Sequence, residues 1–455
     1  LYTAVMARAK FVVGFVLVSL ASFALLPFLG QNFFPPIEST QIKLHVRAPT
    51  GTRIEGTAAL FERVENTIRQ IVPEDQLGPI VDNIGMPISG INVAYGNSGT
   101  AGPNDGDILV TLKPGFESKT EGYVKAMRET LPRRFPGATF AFLPADIVSQ
   151  ILNFGLPSPI DVQVFGPKQE ENLAFADKLM KKISLVAGVA DARVQQSLSS
   201  PQFKVEVDRT QAAQLGLTEG DVAQSLQESL SGSFARAPTF WIYPKNGVAY
   251  PIVAQTPQYW IDSKSELENV PASQKVDSQI LGGVAKITRG VTPELVSHYS
   301  VQPVIDIYAT NADRDLGAVS RDIQAIIDEN AKDAPPGSTV VLRGQTATMT
   351  SAYTQLLAGL ALAVVFIYLL IVVNFQSWLD PFVIVSALPT ALAGIVWMLF
   401  ISGTTLSVPA LTGAIMCMGV ATANSILVIS FARERLGLGD DPLKAALEAG
   451  FTRFR

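Results

Sequence analysis

The residue types that most often carry covalent or metal chemistry are scarce in this chain of 455 residues. It has two histidines, His45 and His298, far apart in sequence, and one cysteine, Cys417, inside an apolar run. A single cysteine excludes an internal disulfide and a thiolate metal cluster. The sequence also lacks the phosphate-binding loop, the nucleophile elbow and the zinc-protease motif. It therefore predicts a protein that is not an enzyme and has no resident cofactor or metal site.

The composition favours a membrane protein. Charged residues make up 16% of the chain and hydrophobic residues 48%, whereas soluble domains carry about a quarter charged residues. The net charge is −5 and the chain has no basic tail, which argues against nucleic acid as a partner.

Four stretches without charged side chains are long enough to cross a bilayer, which takes about 20 residues of helix. They are Phe11–Leu29, Leu356–Val373, Phe382–Phe400 and Pro409–Phe431. Arg8 and Lys10 precede the first stretch, and Arg433 and Arg435 follow the fourth. Because basic flanks favour the cytoplasmic side, the polar block between the first and second stretches is predicted to be external, in bacteria the periplasm.

The external block alternates strand and helix patterns. A first unit has predicted strands and helices at Ile42–Val46, Thr57–Ile71, Ile108–Leu112, Gly122–Leu131 and Thr139–Leu143. The same order recurs at Asp161–Phe165, Glu170–Ile183 and Ala190–Gln195, and again at Val301–Tyr308, Leu316–Ile327 and Thr339–Leu342. Repeated β-α-β pieces predict α+β sandwiches of ferredoxin-like kind. Arg209–Pro293 differs in composition and is predicted to be an inserted docking module.

The order of one span, a large external block and a cluster of spans resembles the resistance-nodulation-division (RND) superfamily, in particular its drug-exporting hydrophobe/amphiphile branch. The stretches that carry the resemblance are GQNFFP at Gly30–Pro35, FAFLP at Phe140–Pro144, SPQFKVEVDRTQAAQLGL at Ser200–Leu217 and the apolar Gly413–Phe431. The last one resembles the tenth of the family's twelve spans and so points to the second half of such a protein. Because the chain also begins at Leu1 instead of Met, we expect a fragment of a longer polypeptide.

The resemblance implies a membrane α-helical bundle plus an α+β periplasmic domain. Its implied parts are the seventh transmembrane helix at 1–37, a first porter subdomain at 38–158, a second porter subdomain at 159–208 and 295–345, the inserted docking subdomain at 209–294, the eighth to tenth transmembrane helices at 346–432, and a cytoplasmic segment with the start of the eleventh helix at 433–455.

The resemblance also implies a function. By this resemblance, the protein would be the bacterial inner-membrane subunit of a tripartite pump. The subunit would form a homotrimer and export amphiphilic small molecules or drugs, driven by the proton gradient. Such a subunit works with a periplasmic adaptor and an outer-membrane channel. The alternatives are an RND-type transporter of lipid or another envelope substrate, a metal-ion exporter, and a non-transporting subunit. Copper or silver export is disfavoured because thioether ligands are needed, and Met86, Met127 and Met180 are widely spaced.

Four residues are candidates for substrate binding by resemblance. Phe140 and Phe142 match aromatic residues that line the drug-access cleft of the family, with packing in the sheet core as the alternative. Ile88 and Tyr95 lie in a loop rich in Gly, Ser and Asn, which occupies the place of the family's flexible loop between two pockets.

Two residues are candidates for a proton relay. Asn424 in the fourth span and Arg453 after it match polar relay positions of the family, with helix packing and interfacial anchoring as their alternatives. The preceding Ala423 stands where many drug pumps carry a relay lysine. The third and fourth spans contain no ionisable side chain that holds a proton within the bilayer, so carboxylates for a relay have to come from partner helices.

Overall fold

The structure is a computed structural model that describes residues 7–35, 39–86, 99–100, 102–273 and 279–453. It divides into two compact units, one made of Leu1–Gln196 and Leu295–Arg455, the other of Ser197–Glu294. The predicted docking module at 209–294 lies within the second unit.

The chain first forms an apolar helix, α1 (Arg8–Ser22), which continues as a tighter 3-10 turn over Phe23–Phe28. Pro27 lies in this turn, and a proline has no N–H to continue an α-helical hydrogen-bond ladder. Ala9–Phe28 is nevertheless long and apolar enough to cross a membrane.

The region predicted to be the first porter subdomain, for which that name is kept, is a four-stranded antiparallel sheet with two helices. Its elements in chain order are β1 (Gln41–Arg47), α2 (Ile54–Ile71), β2 (Leu77–Ile84), β3 (Asp105–Leu112), α3 (Thr120–Arg134) and β4 (Thr139–Leu143). The strands lie in the order β2-β3-β1-β4. Helix α2 buries Phe61, Val64 and Ile68 in the same core as Leu44 of β1, as its apolar face predicts.

The second porter subdomain begins after a short helix, α4 (Ile147–Leu152). Its first elements are β5 (Ile160–Phe165), α5 (Gln169–Ile183) and β6 (Val189–Val194). They confirm the predicted strand-helix-strand order in this part of the chain.

The inserted unit follows directly. Its elements are β7 (Ser200–Val207), α6 (Arg209–Gln214), α7 (Glu219–Ser231), β8 (Thr239–Ile242), β9 (Ala249–Ile252), α8 (Lys264–Glu268), α9 (Leu281–Val284) and β10 (Ala285–Thr292). Strand β7 pairs antiparallel with β10 along its whole length. The sequence predicts that residues 200–208 belong to the second porter subdomain. The pairing of β7 with β10 instead places this strand in the inserted unit.

The second porter subdomain is then completed by the chain that returns from the insert. These elements are β11 (Ser297–Tyr299), β12 (Gln302–Asn311), α10 (Leu316–Asn330) and β13 (Thr339–Gly344). Its antiparallel sheet has the order β6-β12-β5-β13, with β11 beside the start of β12. This repeats the neighbour relations of the first subdomain, while the ferredoxin-like description of both stays a prediction.

The remaining chain is helical. Its helices are α11 (Gln345–Phe375), α12 (Leu379–Val385), α13 (Leu388–Ile401), α14 (Val408–Gly437) and α15 (Pro442–Arg453). The segments Gln345–Phe375, Leu379–Ile401 and Val408–Gly437 are each long and apolar enough to cross a membrane. Together with the first segment they confirm the four predicted spans, as judged by length and composition.

A polar network is buried in the sheet of the second subdomain. Ile160, Val162 and Val164 pack into the core with the helices, so the alternation of a strand turns Asp161 and Gln163 to the other face. There the Gln163 side-chain amide donates to Oδ2 of Asp161 (2.7 Å) and to Oδ1 of Asp306 (3.1 Å). Burial, with the neighbouring Asp306 carboxylate, raises the pKa of Asp161 to about 8.

This network predicts a pH-dependent stability. Since the pKa of Asp161 is raised on folding, its stabilising contribution is complete below about pH 4 and is lost as the pH rises through about 8. The Asp161→Asn variant, which stays neutral, is expected to flatten that dependence and to raise the free energy of unfolding above pH 8 by on the order of 1–2 kcal/mol.

The measurement is the unfolding midpoint of the purified full-length protein between pH 5 and 9. Asp333→Asn is the control, because that carboxyl is exposed and its pKa is lowered by Lys178. An Asp161→Asn variant with the same pH slope as the parent would contradict the prediction.

Candidate functional site

A cavity of about 760 Å³ lies between the two porter subdomains. Helix α3 and the end of β4 form one wall, and the turn Thr310–Leu316 between β12 and α10 forms the other. Residues 32–35, which follow the first apolar helix, and Thr405, which precedes α14, also border it. The cavity therefore extends from the porter subdomains towards the ends of the membrane helices.

The walls of this cavity are rich in charge. Four carboxylates border it, Glu121, Glu129, Asp313 and Asp315, together with the three cations Lys125, Arg128 and Arg314. The Lys125 ammonium is 2.9 Å from Oδ2 of Asp313, and these two charges compensate each other. The carboxylates of Glu121 and Glu129 remain on the same wall, so the cavity offers oxygen atoms of the type that bind cations.

An ion pair joins the two subdomains at the cavity wall. The Arg128 guanidinium of α3 donates to both oxygens of Asp191 in β6, at 3.1 and 2.7 Å. The same guanidinium stacks over the Phe142 ring, 5.0 Å from its centroid. Bidentate, partly buried pairs are stronger than single exposed ones, so Arg128 is the main polar tie across this boundary.

Strands β4 and β6 meet here as the edges of two separate sheets. Asp191 adopts a left-handed backbone conformation with φ of 55°, and its Oδ2 accepts the backbone N–H of Phe142 at 3.1 Å. The Asp191 carboxylate thus accepts the hydrogen bond of a backbone N–H on edge strand β4. In the interior of a sheet, a carbonyl of the neighbouring strand would accept it. Separation of the subdomains at this point breaks side-chain bonds but no backbone ladder.

A second cluster of charged side chains lies in the first sheet. No sequence pattern had indicated it. His45 is buried with Nδ1 2.8 Å from Oδ1 of Asp107 and Nε2 2.8 Å from Oδ1 of Asp105. Arg47 shares Asp105 and also donates to the backbone carbonyl of Gln195, at 2.9 Å. Over the described ranges, no group of three or more His, Cys, Asp or Glu is placed to hold a metal ion. Arg47 and Asp105 form an ion pair, and His45 makes a hydrogen bond with Asp107.

Comparison with known proteins identifies the family. The model of the AcrB/AcrD/AcrF family matches residues 1–455. The chain belongs to this family of RND permeases.

Several relatives carry names that refer to cations. The cation efflux system protein CusA of Escherichia coli is 29% identical over 67% of this chain and 29% of its own length. The cobalt-zinc-cadmium resistance protein CzcA of Cupriavidus metallidurans is 24% identical over 94% of this chain and 40% of its own. A crystal structure of a heavy metal efflux pump has the same fold, with a TM-score of 0.77 at 22% identity over 99% of this chain and 47% of that one. The chain thus spans less than half of each of these relatives.

The structure places the predicted substrate residues of this RND permease chain as follows. Phe140 and Phe142 are 8% and 9% exposed and pack in the core of the first subdomain. Phe142 also borders the cavity, whereas Phe140 is not among its lining residues. Ile88 and Tyr95 lie outside the described residues. A substrate role for these four stays a prediction.

The predicted relay residues lie on the last two helices. Asn424 is on α14 with its side chain exposed, and Arg453 is the last residue of α15. The structure does not bring them to the cavity, whose lining residues include neither. Their relay role stays a prediction.

The Arg128–Asp191 pair leads to a stability prediction. Arg128→Gln is expected to lower the free energy of unfolding of the full-length protein by about 1–3 kcal/mol, because it leaves a largely buried carboxylate without its charged partner. Lys125→Gln removes the neighbouring Asp313 pair, whose partners are mostly exposed, and should leave the free energy of unfolding nearly unchanged, because exposed ion pairs contribute little.

Denaturant unfolding of both variants and of the Arg128→Gln, Asp191→Asn double variant measures this difference. The double variant should lose less than the sum of its single changes, because one interaction is removed twice. Equal effects of Arg128→Gln and Lys125→Gln, or full additivity, would refute the assignment of Arg128 as the main tie.

Proposed function

We propose that this chain is the second half of an inner-membrane RND permease subunit that exports divalent metal cations through the cavity between its porter subdomains. The observation that supports this most is the sequence similarity to relatives named for cation efflux or metal resistance, such as CusA and CzcA. The carboxylates on the cavity wall add negative charge there, but among the described residues no three of them lie close enough to hold a metal ion. The cargo expected from the sequence resemblance, amphiphilic compounds, is the second candidate.

The ligand types favour borderline and hard cations over copper and silver. Among the possible thioether ligands, Met127 is fully buried in the first core, Met180 packs against the second core, and Met86 is exposed. They therefore do not form a thioether path of the kind that soft ions need. Carboxylate oxygens instead suit harder divalent ions such as manganese and are also among the ligands that zinc takes in proteins. A group of only a few carboxylates binds weakly enough to release an ion again, which transport requires.

Amphiphile export is supported by one feature of the same cavity. Phe33, Phe34 and Phe142 border it, and aromatic side chains bind many ligand shapes. Phe33 and Phe142 are nearly fully buried, however, and so offer little apolar area. The cavity volume of about 760 Å³ lies in the range of sites for drug-sized ligands, so amphiphile export is kept as the second candidate.

The inserted unit supports assembly into a larger pump. It exposes a group of aromatic side chains, with exposed fractions of 47–76%, at Phe240, Trp241, Tyr250, Tyr259 and Trp260. Exposed apolar patches with aromatic residues mark protein-binding surfaces. We assign this surface to the trimer, adaptor and outer-membrane channel contacts that the family resemblance implies.

The energy source in this proposal is the proton gradient. The protons bind in the half of the permease that this chain does not include, since its own third and fourth spans carry no acidic side chain in their apolar stretches. Asn424 and Arg453 contribute polar groups at the boundary with those helices.

Growth of a bacterial strain without other exporters tests the cargo. Expression of the full-length protein is expected to raise tolerance to zinc, cobalt or nickel severalfold and to leave tolerance to ethidium unchanged. Glu121→Gln with Glu129→Gln should remove that gain, while Glu62→Gln, an exposed carboxylate on α2, should retain it. Tolerance to ethidium without tolerance to any of the metals would overturn the cation proposal in favour of amphiphile export.

A further inference from the structure

Four elements meet at residues 30–33, here called the junction segment (Gly30–Phe33). It follows the first apolar helix and forms an isolated parallel bridge with the loop before α14, at Gln31 and Leu406. Asn32 donates its backbone N–H to the Leu406 carbonyl at 3.0 Å, and Leu406 donates to the Gly30 carbonyl at 2.8 Å. The ends of the first and fourth membrane segments are thus joined by backbone hydrogen bonds.

The same segment binds the N-terminus of α10 in the second porter subdomain. Backbone N–H groups at a helix start have no partner within the helix. Here Leu316 donates to Oδ1 of Asn32 at 2.8 Å, and Gly317 donates to the Gln31 carbonyl at 2.8 Å. In return, Gln31 donates its N–H to Oδ2 of Asp315 at 2.9 Å. Since the Asp315 side chain accepts the Ala318 N–H at 2.9 Å as the helix's own N-cap, the junction segment completes this cap by accepting the two N–H groups that precede it.

Asn32 connects the two sides through one side chain. While its Oδ1 accepts from α10, its Nδ2 donates to Oγ1 of Thr405 in the loop before α14, at 3.2 Å. The Tyr353 hydroxyl of α11 lies 3.0 Å from the Asn32 carbonyl and 2.6 Å from that of Leu406. Three membrane segments and one porter helix therefore meet at this residue.

Two glycines make this packing close. A Cβ at Gly30 would lie 2.9 Å from Cβ of Asp315 and 3.0 Å from Cγ2 of Thr405. A Cβ at Gly317 would lie 2.8 Å from Cβ of Gln31. Such distances are shorter than real Cβ contacts. The junction segment therefore packs directly against the start of α10 and the loop before α14, with no free space between them.

We propose that the junction segment is the mechanical joint of the permease half, and that Asn32 couples movement of the membrane helices to helix α10 and hence to the cavity wall. Helix α10 begins at Leu316, and the turn before it forms part of that wall. A displacement of Thr405 and Leu406 with the membrane helices thus changes the cap of α10. This role deepens the proposed transport function and rests on it for its purpose, but the coupling itself does not depend on the cargo.

The variant Thr405→Val cuts the side-chain bond on the membrane side alone. Valine has nearly the shape of threonine but does not accept the Asn32 amide. The matched control is Thr404→Val, because the Thr404 hydroxyl bonds to Ser402 and not to the junction segment. Tyr353→Phe removes the second membrane-side bond and serves as an independent variant if Thr405→Val does not fold.

Amide hydrogen exchange of the purified full-length protein is the direct readout. Peptides that cover residues 311–320 contain the Leu316 and Gly317 amides, which donate to the junction segment. Thr405→Val is expected to speed their exchange about threefold or more, since weakening one end of a coupled network lowers its opening free energy. Thr404→Val should leave it unchanged. Exchange of this peptide at the parent rate in both Thr405→Val and Tyr353→Phe would overturn the joint.

Transport then tests the purpose of the coupling. In cells, Thr405→Val should reduce export by about tenfold at equal protein level, with unchanged cargo affinity of the purified protein, because only the transmission step is impaired. Faster exchange without any loss of export would show a structural cap and overturn the transport role. If no cargo is exported even by the parent protein, the proposed function fails, whereas the exchange result still decides the coupling.

Discussion

The constraint on which the whole structure depends is that four apolar helices need lipid as their solvent. Side chains such as Leu370 and Val373 of α11 and Met398 of α13 are 68–77% exposed. In water, each Å² of this exposed apolar surface would cost about 25 cal/mol of free energy. In a bilayer the same surface is favourable, and the helical backbone satisfies its own hydrogen-bonding groups. The arrangement of the porter subdomains relative to the cavity follows from where these helices end.

The porter subdomains show how a rigid fold leaves room for movement. Each has its own sheet and its own hydrophobic core, and interiors packed in this way deform little. Movement is therefore confined to the boundary between them, where Arg128, Asp191 and Phe142 hold two sheet edges together by side-chain bonds. The cavity lies at the same boundary, and its volume changes when these bonds break. At its other end the junction segment fixes α10 to the membrane helices. In the proposed exporter, this combination would supply a site that opens on one side and is driven from the other.

The sequence predicted the elements better than their contacts. Long apolar runs and alternating patterns located the four membrane segments and most strands, because burial alone imposes those patterns. Strand β2 was missed since Gly78 and Pro79 interrupt its alternation, although the alternating Ile80, Asp82 and Ile84 were a usable signal. Strand β7 was assigned to the wrong side of the insert boundary because its partner β10 lies far along the chain.

The site was harder to predict for the same reason. Asp191 and Arg128 are 63 residues apart, and only the packing of helix α3 beside the edge strand β6 brings them together. The contacts of Asn32 with Leu316 and Thr405 span 284 and 373 residues. Resemblance drew attention to Phe140 and Phe142, and the structure shows that charged residues such as Arg128 and Glu129 border the cavity beside Phe142. Residue type therefore indicated an aromatic cleft, whereas the fold placed carboxylates beside it.

Cysteine accessibility tests the central claim, that the porter subdomains project from one side of the membrane and the end of α14 lies on the other. In a full-length protein with Cys417→Ser, single cysteines replace Leu185 after α5 and Leu438 after α14, which are 85% and 72% exposed. A membrane-impermeant maleimide should label position 185 in intact spheroplasts and position 438 only after lysis. Labelling of position 438 in intact spheroplasts, or protection of position 185, would contradict the account.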